Sequence, residues 1–325
     1  MARRGQGEVV LGILAAAFWS PTIYLFMRAA TSMAGAAGTS SAGRLWPITF
    51  YFYVLLAATV VCTVMQLLVG RTRDFSVFYR RQHHVLVLAA VGVYGFWLLQ
   101  ALALERALRP MPSPQAGLLD RTHLLLYAGP LLLGVLSIPS REGARVRQVA
   151  SLLLGFLGVL LIVRSMAPGG AAGAAYAGMN LAAVGAAACW AAFSLLARPL
   201  LREGKPLPIL TIVLAVGAAC MLVTSLTTGT GLLAIGRKAL WIALLTGGVC
   251  VVFSLLAWLG ALALAPPACV APLWYLAPLL GVFWARVICG TRPGWWALGG
   301  AALILGGLYT ELHGRRRQDM EDLTF

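Results

Sequence analysis

A short polar stretch interrupts the apolar sequence near residue 120, and its side chains are of types that carry protons. The segment LLDRTHLLLY, residues 118–127, contains Asp120, Arg121, His123 and Tyr127. Histidine titrates near neutral pH and a carboxylate accepts protons, so an Asp–His pair suits proton transfer or solute binding. On a helix, Asp120, His123 and Tyr127 share one face because they are three and seven residues apart. The pattern predicts a polar helix face that points into a cavity.

The same stretch also suits a purely structural interpretation. Asp120 can pair with the adjacent Arg121, and Glu105 and Arg109 are four residues apart, a spacing that supports an ion pair on a helix. A charge near the centre of a bilayer costs about 2.5–3.5 kcal/mol on insertion scales, which favours such pairing. The sequence leaves open whether this cluster binds a proton or a solute, or only stabilises a helix.

A second group of candidate residues is aromatic or uncharged polar and lies within apolar runs. Rings combined with a few amide and hydroxyl groups are typical of a pocket for an amphipathic solute. Trp and Tyr are also common where a helix meets the membrane interface, so we expect about half of them to line a pocket. The group comprises Trp19, Tyr24, Tyr94, Trp97, Gln100, Asn180, Trp190, Ser194, Trp258, Trp274 and Tyr275.

The elements that must position these residues are membrane-spanning helices. Of 325 residues, 60% are apolar and 11% are charged, against roughly 45–50% and 25% in soluble globular proteins. About 20 continuous apolar residues cross a bilayer as a helix, whereas barrel strands would be shorter and would alternate. The sequence predicts an all-α polytopic membrane protein. Its ten spans, numbered in chain order, are 8–29, 46–69, 84–106, 113–139, 147–166, 178–200, 207–228, 238–262, 268–289 and 295–313.

The basic charge indicates orientation rather than a nucleic-acid partner. The formal net charge is +15, and most of the 25 Lys and Arg residues fall on one side if the N-terminus is inside. This bias predicts both termini in the cytoplasm, in an inner or plasma membrane. The surplus charge suits anionic lipids, and no basic patch with interleaved aromatics indicates DNA or RNA. The basic N-terminus resembles a signal peptide, but we interpret it as an uncleaved first span because the apolar run continues past Trp19.

Motifs for metal binding or catalysis are absent from the sequence. The six cysteines lie in or at the ends of predicted spans without metal-ligand spacing, and nucleophile or phosphate-loop motifs do not occur. We therefore expect no metal, no cofactor and no enzymatic activity.

Two segments of the chain carry one pattern. YAGPLLLGVL at 127–136 and YLAPLLGVFW at 275–284 share the Tyr-x-x-Pro-Leu-Leu opening, 148 residues apart. The same shift pairs Gly158 with Gly306. Proline removes an intrahelical hydrogen bond, so Pro130 and Pro278 are candidates for matched kinks. They act either as hinges or only in packing.

The sequence similarity extends to other spans of the two halves of the chain. AAAFWSPTIYLFMR around Trp19 is similar to AAACWAAFSLLAR around Trp190. Because five is an odd number, a second set of five spans enters the membrane from the opposite side, which makes an inverted repeat. The predicted units are a first five-helix repeat at 1–172, a second at 173–313, and a cytoplasmic tail at 314–325.

These segments resemble the drug/metabolite transporter superfamily, in its EamA-like ten-helix branch. The likeness rests on LAAAFWSPTIYLF in span 1, AAACWAAFSLLARPLL in span 6 and, most strongly, ALALAPPACVAPLWYLAPLLGVFWARVICGTRPGWWALGGAALILGG at 261–307. Two departures matter. The family's frequent Gly-Glu pair is replaced by SREGAR and CGTRPG after spans 4 and 9, and ERALRPMPSPQA at 105–116 is extra. The placement of span 4 is therefore the least defined.

The resemblance implies a secondary transporter that works by alternating access. It implies export of small organic metabolites, amino acids or drug-like solutes, coupled to protons. Spans 5 and 10 resemble the family's scaffold or dimerisation pair, so a homodimer is implied, and their glycines suit close packing. The alternatives are a membrane-embedded enzyme or a lipid-carrier flippase that uses the polar cluster of span 4, an importer, or a non-transporting scaffold or sensor.

Overall fold

Helices account for all regular structure in the described part of the chain. The computed structural model describes residues 2–34, 46–69, 76–108, 125–137, 142–166, 177–203, 205–229, 232, 235–290 and 294–321. Seven helical segments within these ranges are long and apolar enough to cross a membrane: Gly7–Met33, Trp46–Leu68, Arg80–Glu105, Gly178–Arg202, Pro206–Thr227, Arg237–Leu264 and Pro267–Ile288. They coincide with predicted spans 1, 2, 3, 6, 7, 8 and 9, which confirms the all-α polytopic class.

The three remaining spans are described to different extents. Spans 5 and 10 lie in the helices Glu142–Met166 and Trp295–Glu321, and the latter continues past the predicted start of the tail. Span 4 is described only from residue 125, with a helix at Ala128–Leu136. The count of ten spans is consistent with this arrangement and stays a prediction.

Span 1 is interrupted near its middle by a serine and a proline. One helix runs from Ala2 to Trp19 and a second runs from Thr22 to Ala34. Pro21 has no N–H to donate to the carbonyl of Ala17. The hydroxyl of Ser20 donates to that carbonyl instead, at 2.8 Å. Because the hydroxyl replaces the missing N–H donor, the break is tolerated in a membrane helix. Trp19 is the last residue before the break.

Spans 3 and 8 depart from α-helical geometry in the same way. Each contains a wider π-helical segment with two glycines, followed by an α-helix of 13 residues. Such segments are rare in proteins overall, and those that occur are often found at functional sites. Span 3 comprises Ser76–Val87, the π-helical Leu88–Gly95 and Phe96–Leu108; span 8 comprises Arg237–Leu245, the π-helical Thr246–Val251 and Val252–Leu264.

The repeated Tyr-x-x-Pro motif lies at the start of an α-helix in both halves. Tyr127 directly precedes the helix Ala128–Leu136, and Tyr275 directly precedes the helix Leu276–Cys289. In span 9 this helix follows a short helix, Pro267–Val270, and a 3₁₀ turn at Ala271–Tyr275. Pro130 and Pro278 are thus the third residues of their helices.

This position changes what the two prolines do locally. The first four N–H groups of a helix have no intrahelical acceptor, so a proline there loses nothing. The sequence pattern suggested kinks inside continuous helices, whereas the structure places Pro130 and Pro278 at helix starts. Their role as hinges stays a prediction.

The helices of the two halves pack across one another in a matched pattern. Span 1 packs against spans 8 and 9, and span 6 packs against spans 3 and 4. Span 2 contacts span 7, and span 5 contacts span 10. Exchanging every span for its counterpart five places along leaves this set of pairs unchanged. The pattern is consistent with two matched five-helix halves, as the repeat predicts.

Spans 5 and 10 cross at two glycines. A Cβ atom added to Gly158 would lie 2.5 Å from the carbonyl oxygen of Gly300 and 2.7 Å from Ile304. A Cβ on Gly300 would meet the carbonyl oxygen of Gly158 and Ile162 in the same way. Gly306, which the 148-residue shift pairs with Gly158, has open space beside it. The two glycines at the crossing are therefore 142 residues apart in sequence, not 148.

Polar groups reinforce the contact between spans 5 and 10. The hydroxyl of Ser151 donates to the carbonyl of Gly307 at 2.7 Å. Arg147 Nε lies 3.6 Å from Glu311 Oε2, and Glu311 is almost fully buried. A buried carboxylate needs such a partner because removal from water is costly.

Candidate solute pathway between the two halves

Five buried tryptophans meet where the two halves face each other. We call Trp19, Trp97, Trp190, Trp258 and Trp274 the tryptophan cluster. The centroids of Trp19 and Trp97, on spans 1 and 3, are 5.7 Å apart, and those of Trp190 and Trp258, on spans 6 and 8, are 4.9 Å apart. The first pair and the second pair occupy corresponding spans. The cluster is therefore built from both halves of the repeat.

Trp274 of span 9 joins the two pairs. Its ring centroid lies 5.5 Å from that of Trp19 and 4.8 Å from that of Trp190. It also lies 4.8 Å from the centroid of Trp258, nearly edge-on at 65°. Tilted and edge-on ring pairs at these separations are favourable beyond simple area burial. The cluster is one connected aromatic layer across the bundle.

A small cavity lies against this layer. Its volume is about 10 Å³, which is room for a single water molecule. Spans 1, 3, 6 and 8 line it, so it lies between the two halves. Its walls are Trp19, Gly92, Val93, Phe96, Trp97, Trp190, Phe193 and Leu255. An organic solute fits here only when the surrounding rings move apart.

Ser194 holds the indole of Trp258, one of the rings of the cluster. Its hydroxyl accepts the indole N–H of Trp258 at 3.0 Å and donates to the backbone carbonyl of Trp190 at 3.0 Å. Both Ser194 and Trp258 are fully buried. An unpaired buried N–H is costly, so this bond holds the indole of Trp258 in place.

Four buried polar atoms of the candidate residues have no hydrogen-bond partner in the described part of the protein. They are Trp190 Nε1, the Tyr275 hydroxyl, Gln100 Oε1 and Asn180 Oδ1. Most buried polar atoms in proteins are paired, so each of these calls for an explanation. Because Trp190 also lines the cavity, its indole N–H is a donor available to a solute.

Other candidate residues lie at contacts between helices instead. The hydroxyls of Tyr94 and Thr224 are 2.8 Å apart, which links span 3 to span 7. Tyr24 packs against Gly281 of span 9, where an added Cβ would lie 3.1 Å from the tyrosine oxygen. The ring of Tyr275 packs against Gly155 of span 5. Tyr127 is buried at its helix start.

The polar cluster of span 4 is outside the described residues, namely Asp120, Arg121 and His123, together with Arg109. Its predicted role stays a prediction. Glu105, on span 3, is described and is 2% exposed. Among the described residues, no group of three or more His, Cys, Asp and Glu side chains is arranged to hold a metal ion.

Sequence reasoning did not identify the apolar residues that complete the cavity wall. Phe96, Phe193, Leu255, Gly92 and Val93 line it. In a membrane protein, residues that face lipid and residues that face the bundle interior are both apolar, so hydrophobic pattern does not separate them. The available signal was adjacency, since Phe96 precedes Trp97 and Phe193 lies one helical turn after Trp190.

Comparison with known proteins bears on the second half most directly. Residues 178–310, which hold spans 6 to 10, match the profile of the EamA-like transporter family. We call residues 178–310 the EamA-like domain, after this match. The match supports membership of the drug/metabolite transporter superfamily, as the motifs of spans 6 and 9 indicated.

Two relatives extend this comparison. Over 144 residues the chain is 28% identical to "Uncharacterized transporter YyaM" of Bacillus subtilis (strain 168). The match covers 44% of each chain, so it spans less than half the length of that curated relative. A solved structure, named only "Crystal structure of protein", aligns over 96% of this chain and 99% of its own, with a TM-score of 0.75 and 22% identity. That likeness shows a shared fold, and the family match agrees with a multi-pass membrane protein.

Proposed function

We propose that this protein is a secondary transporter that moves a small organic solute between its two halves by alternating access. The observation that carries the proposal is the cavity walled by spans 1, 3, 6 and 8, with Trp19 and Trp97 from one half facing Trp190 and Trp258 from the other. A site at the interface of matched halves can be opened to either side by rocking one half against the other. The EamA-like domain and the relative named as a transporter agree with this function.

The tryptophan cluster suggests the class of solute. Aromatic walls favour amphipathic or aromatic molecules, and the indole N–H of Trp190 favours one with a carbonyl or carboxylate acceptor. Metabolites, amino acids and drug-like molecules all meet these conditions. We propose that the solute is exported, on the basis of the family resemblance. We also propose that transport is coupled to protons through Asp120 and His123, because histidine titrates near neutral pH.

Helix irregularities offer places where the conformation can change. Span 1 is broken at Pro21, and spans 3 and 8 carry π-helical segments at matched positions. Departures of this kind concentrate bending in a few residues. In this proposal they let the tryptophan cluster separate, while the glycine crossing of spans 5 and 10 stays fixed as a scaffold. Pro130 and Pro278 are the further hinge candidates.

We also propose an orientation in the membrane and a homodimer. Both termini are cytoplasmic, in an inner or plasma membrane, and labelling of cysteines introduced at residues 75 and 230 should report opposite sides. Labelling on the same side would refute the inverted repeat.

The crossing of Gly158 and Gly300 joins spans 5 and 10 within one chain, so a homodimer would use the opposite face of span 10. On that face Gly306 has open space beside it and Tyr309 is exposed.

Transport assays in reconstituted vesicles test the function. A panel of metabolites and drug-like solutes is measured for uptake and efflux, with and without a pH gradient, against protein-free vesicles. We expect saturable movement of at least one solute that depends on the gradient. Chemical conversion of a panel member would support the enzyme alternative. Scrambling of a labelled lipid carrier without solute transport would support the flippase alternative.

A further inference from the structure

A second cavity lies apart from the tryptophan cluster, at the ends of spans 4, 6 and 9. Its volume is about 310 Å³, at the lower end of the range for small-molecule sites. In the predicted topology this end faces the cytoplasm. We call it the basic vestibule, and its walls are Leu136, Ser137, Leu195, Arg198, Pro199, Arg202 and Pro267.

Two arginines on one helix face dominate the charge of this cavity. Arg198 and Arg202 are four residues apart, so their guanidinium groups lie on the same side of span 6 and repel each other. Among the described side chains, no ion pair joins Arg198 or Arg202 to a carboxylate. Both positive charges therefore face the vestibule uncompensated by a described carboxylate.

The partial negative charge at the end of the helix offsets only part of this positive charge. Span 6 ends at Glu203, and the C-terminus of a helix carries roughly half a negative charge that favours nearby cations. That is too little to neutralise two guanidinium groups. An anion held between them would remove the repulsion and satisfy donors that are otherwise left to water.

The wall between the two arginines is also altered by a proline. Pro199 lies inside the helix Ala177–Glu203 and has no N–H to donate to the carbonyl of Leu195. Both residues line the vestibule. The hydroxyl of Ser137 already donates to Leu133 at 2.5 Å, so it offers its remaining capacity as an acceptor. The strong donors in the vestibule are thus the two guanidinium groups.

We propose that the basic vestibule binds the carboxylate or phosphate group of an anionic molecule between Arg198 and Arg202. A planar guanidinium donates two parallel hydrogen bonds to such a group, which gives both affinity and selectivity for oxyanions. The anion is either a dissolved molecule that enters from the cytoplasm or the headgroup of an anionic lipid. The site does not rest on the proposed transport function, since its occupancy is measured without transport.

Stability measurements on the full chain test the site. The protein is placed in nanodiscs of phosphatidylcholine, and its unfolding temperature is followed as inorganic phosphate replaces chloride at constant ionic strength. We expect saturable stabilisation, with the apparent affinity for phosphate weakened about tenfold or more in the variant Arg198→Gln/Arg202→Gln. Arg237→Gln removes an exposed charge from the start of span 8 and should behave as wild type.

A second arm identifies the source of the anion. In nanodiscs that contain phosphatidylglycerol, without phosphate, stabilisation of the wild type but not of the double variant would assign the site to a lipid headgroup. Stabilisation by phosphate alone would assign it to a dissolved anion. Equal responses of wild type and double variant to both probes would overturn the proposal. If the double variant does not fold, Arg198→Gln and Arg202→Gln are compared singly in the same two arms.

Discussion

Substitution at the crossing of spans 5 and 10 should show whether this contact holds the two halves together. In Gly300→Ala, the new methyl group would lie closer than 3.0 Å to the carbonyl oxygen of Gly158 and to Ile162. These are backbone and rigid side-chain atoms, so the helices must move apart. Overpacking of this kind costs about 1–3 kcal/mol, and the better helix propensity of alanine returns about 0.5–1 kcal/mol. We expect a net loss of about 0.5–2 kcal/mol in the free energy of unfolding.

The matched control is on the same helix. A methyl group on Gly306 would meet nothing within 4 Å, so Gly306→Ala should be neutral or slightly stabilising. Unfolding in SDS, measured reversibly for both variants, gives the comparison. Gly158→Ala should resemble Gly300→Ala, and the double variant should lose less than the sum because one displacement relieves both clashes. Equal stability of Gly300→Ala and Gly306→Ala, or damage by Gly306→Ala alone, would refute this reasoning.

Three further predictions concern the pathway. Ser194→Ala should lower both stability and transport because Trp258 loses its acceptor, at a cost of about 1–3 kcal/mol. Ser151→Ala, which removes a hydrogen bond between spans 5 and 10, should lower stability without a matching loss of transport per folded molecule. Tyr275→Phe removes a hydroxyl without a described partner, so the free energy of unfolding should change by no more than about 0.5 kcal/mol. If this variant needs a higher solute concentration for half-maximal transport, the hydroxyl contacts the solute. Asp120→Asn should abolish the pH dependence of transport at normal expression; loss of expression that is restored by also neutralising the adjacent arginine would instead show a structural pair.

The positions of the spans could be predicted from sequence because burial in lipid imposes long apolar runs. Span 2 was predicted at 46–69 and is found at Trp46–Leu68. The break in span 1 was not predicted, although Ser20 and Pro21 are plain in the sequence. A proline within an apolar run signals a disturbed helix, but only the structure shows which group satisfies the carbonyl of Ala17.

The residue types that line the cavity could be predicted from the sequence, but their positions could not. Tryptophans in corresponding spans suggested a pocket, and Trp19, Trp97 and Trp190 do line the cavity. Tyr94 instead bonds to Thr224, because which face of span 3 meets span 7 depends on packing between distant segments. The contact of Gly158 with Gly300 departs from the 148-residue shift for the same reason: the register of two crossing helices is set by their shape, not by the length of the loops.

Transport by variants of Trp190 tests most directly whether solute passes between the two halves. Trp190 is buried and lines the cavity, whereas Trp241, on span 8, is 67% exposed. For a solute transported by the wild type in reconstituted vesicles, the account predicts that Trp190→Leu lowers the rate per folded molecule by about tenfold or more. Trp241→Leu should transport at the wild-type rate. Wild-type transport by Trp190→Leu, with both variants equally folded, would contradict a pathway through the tryptophan cluster.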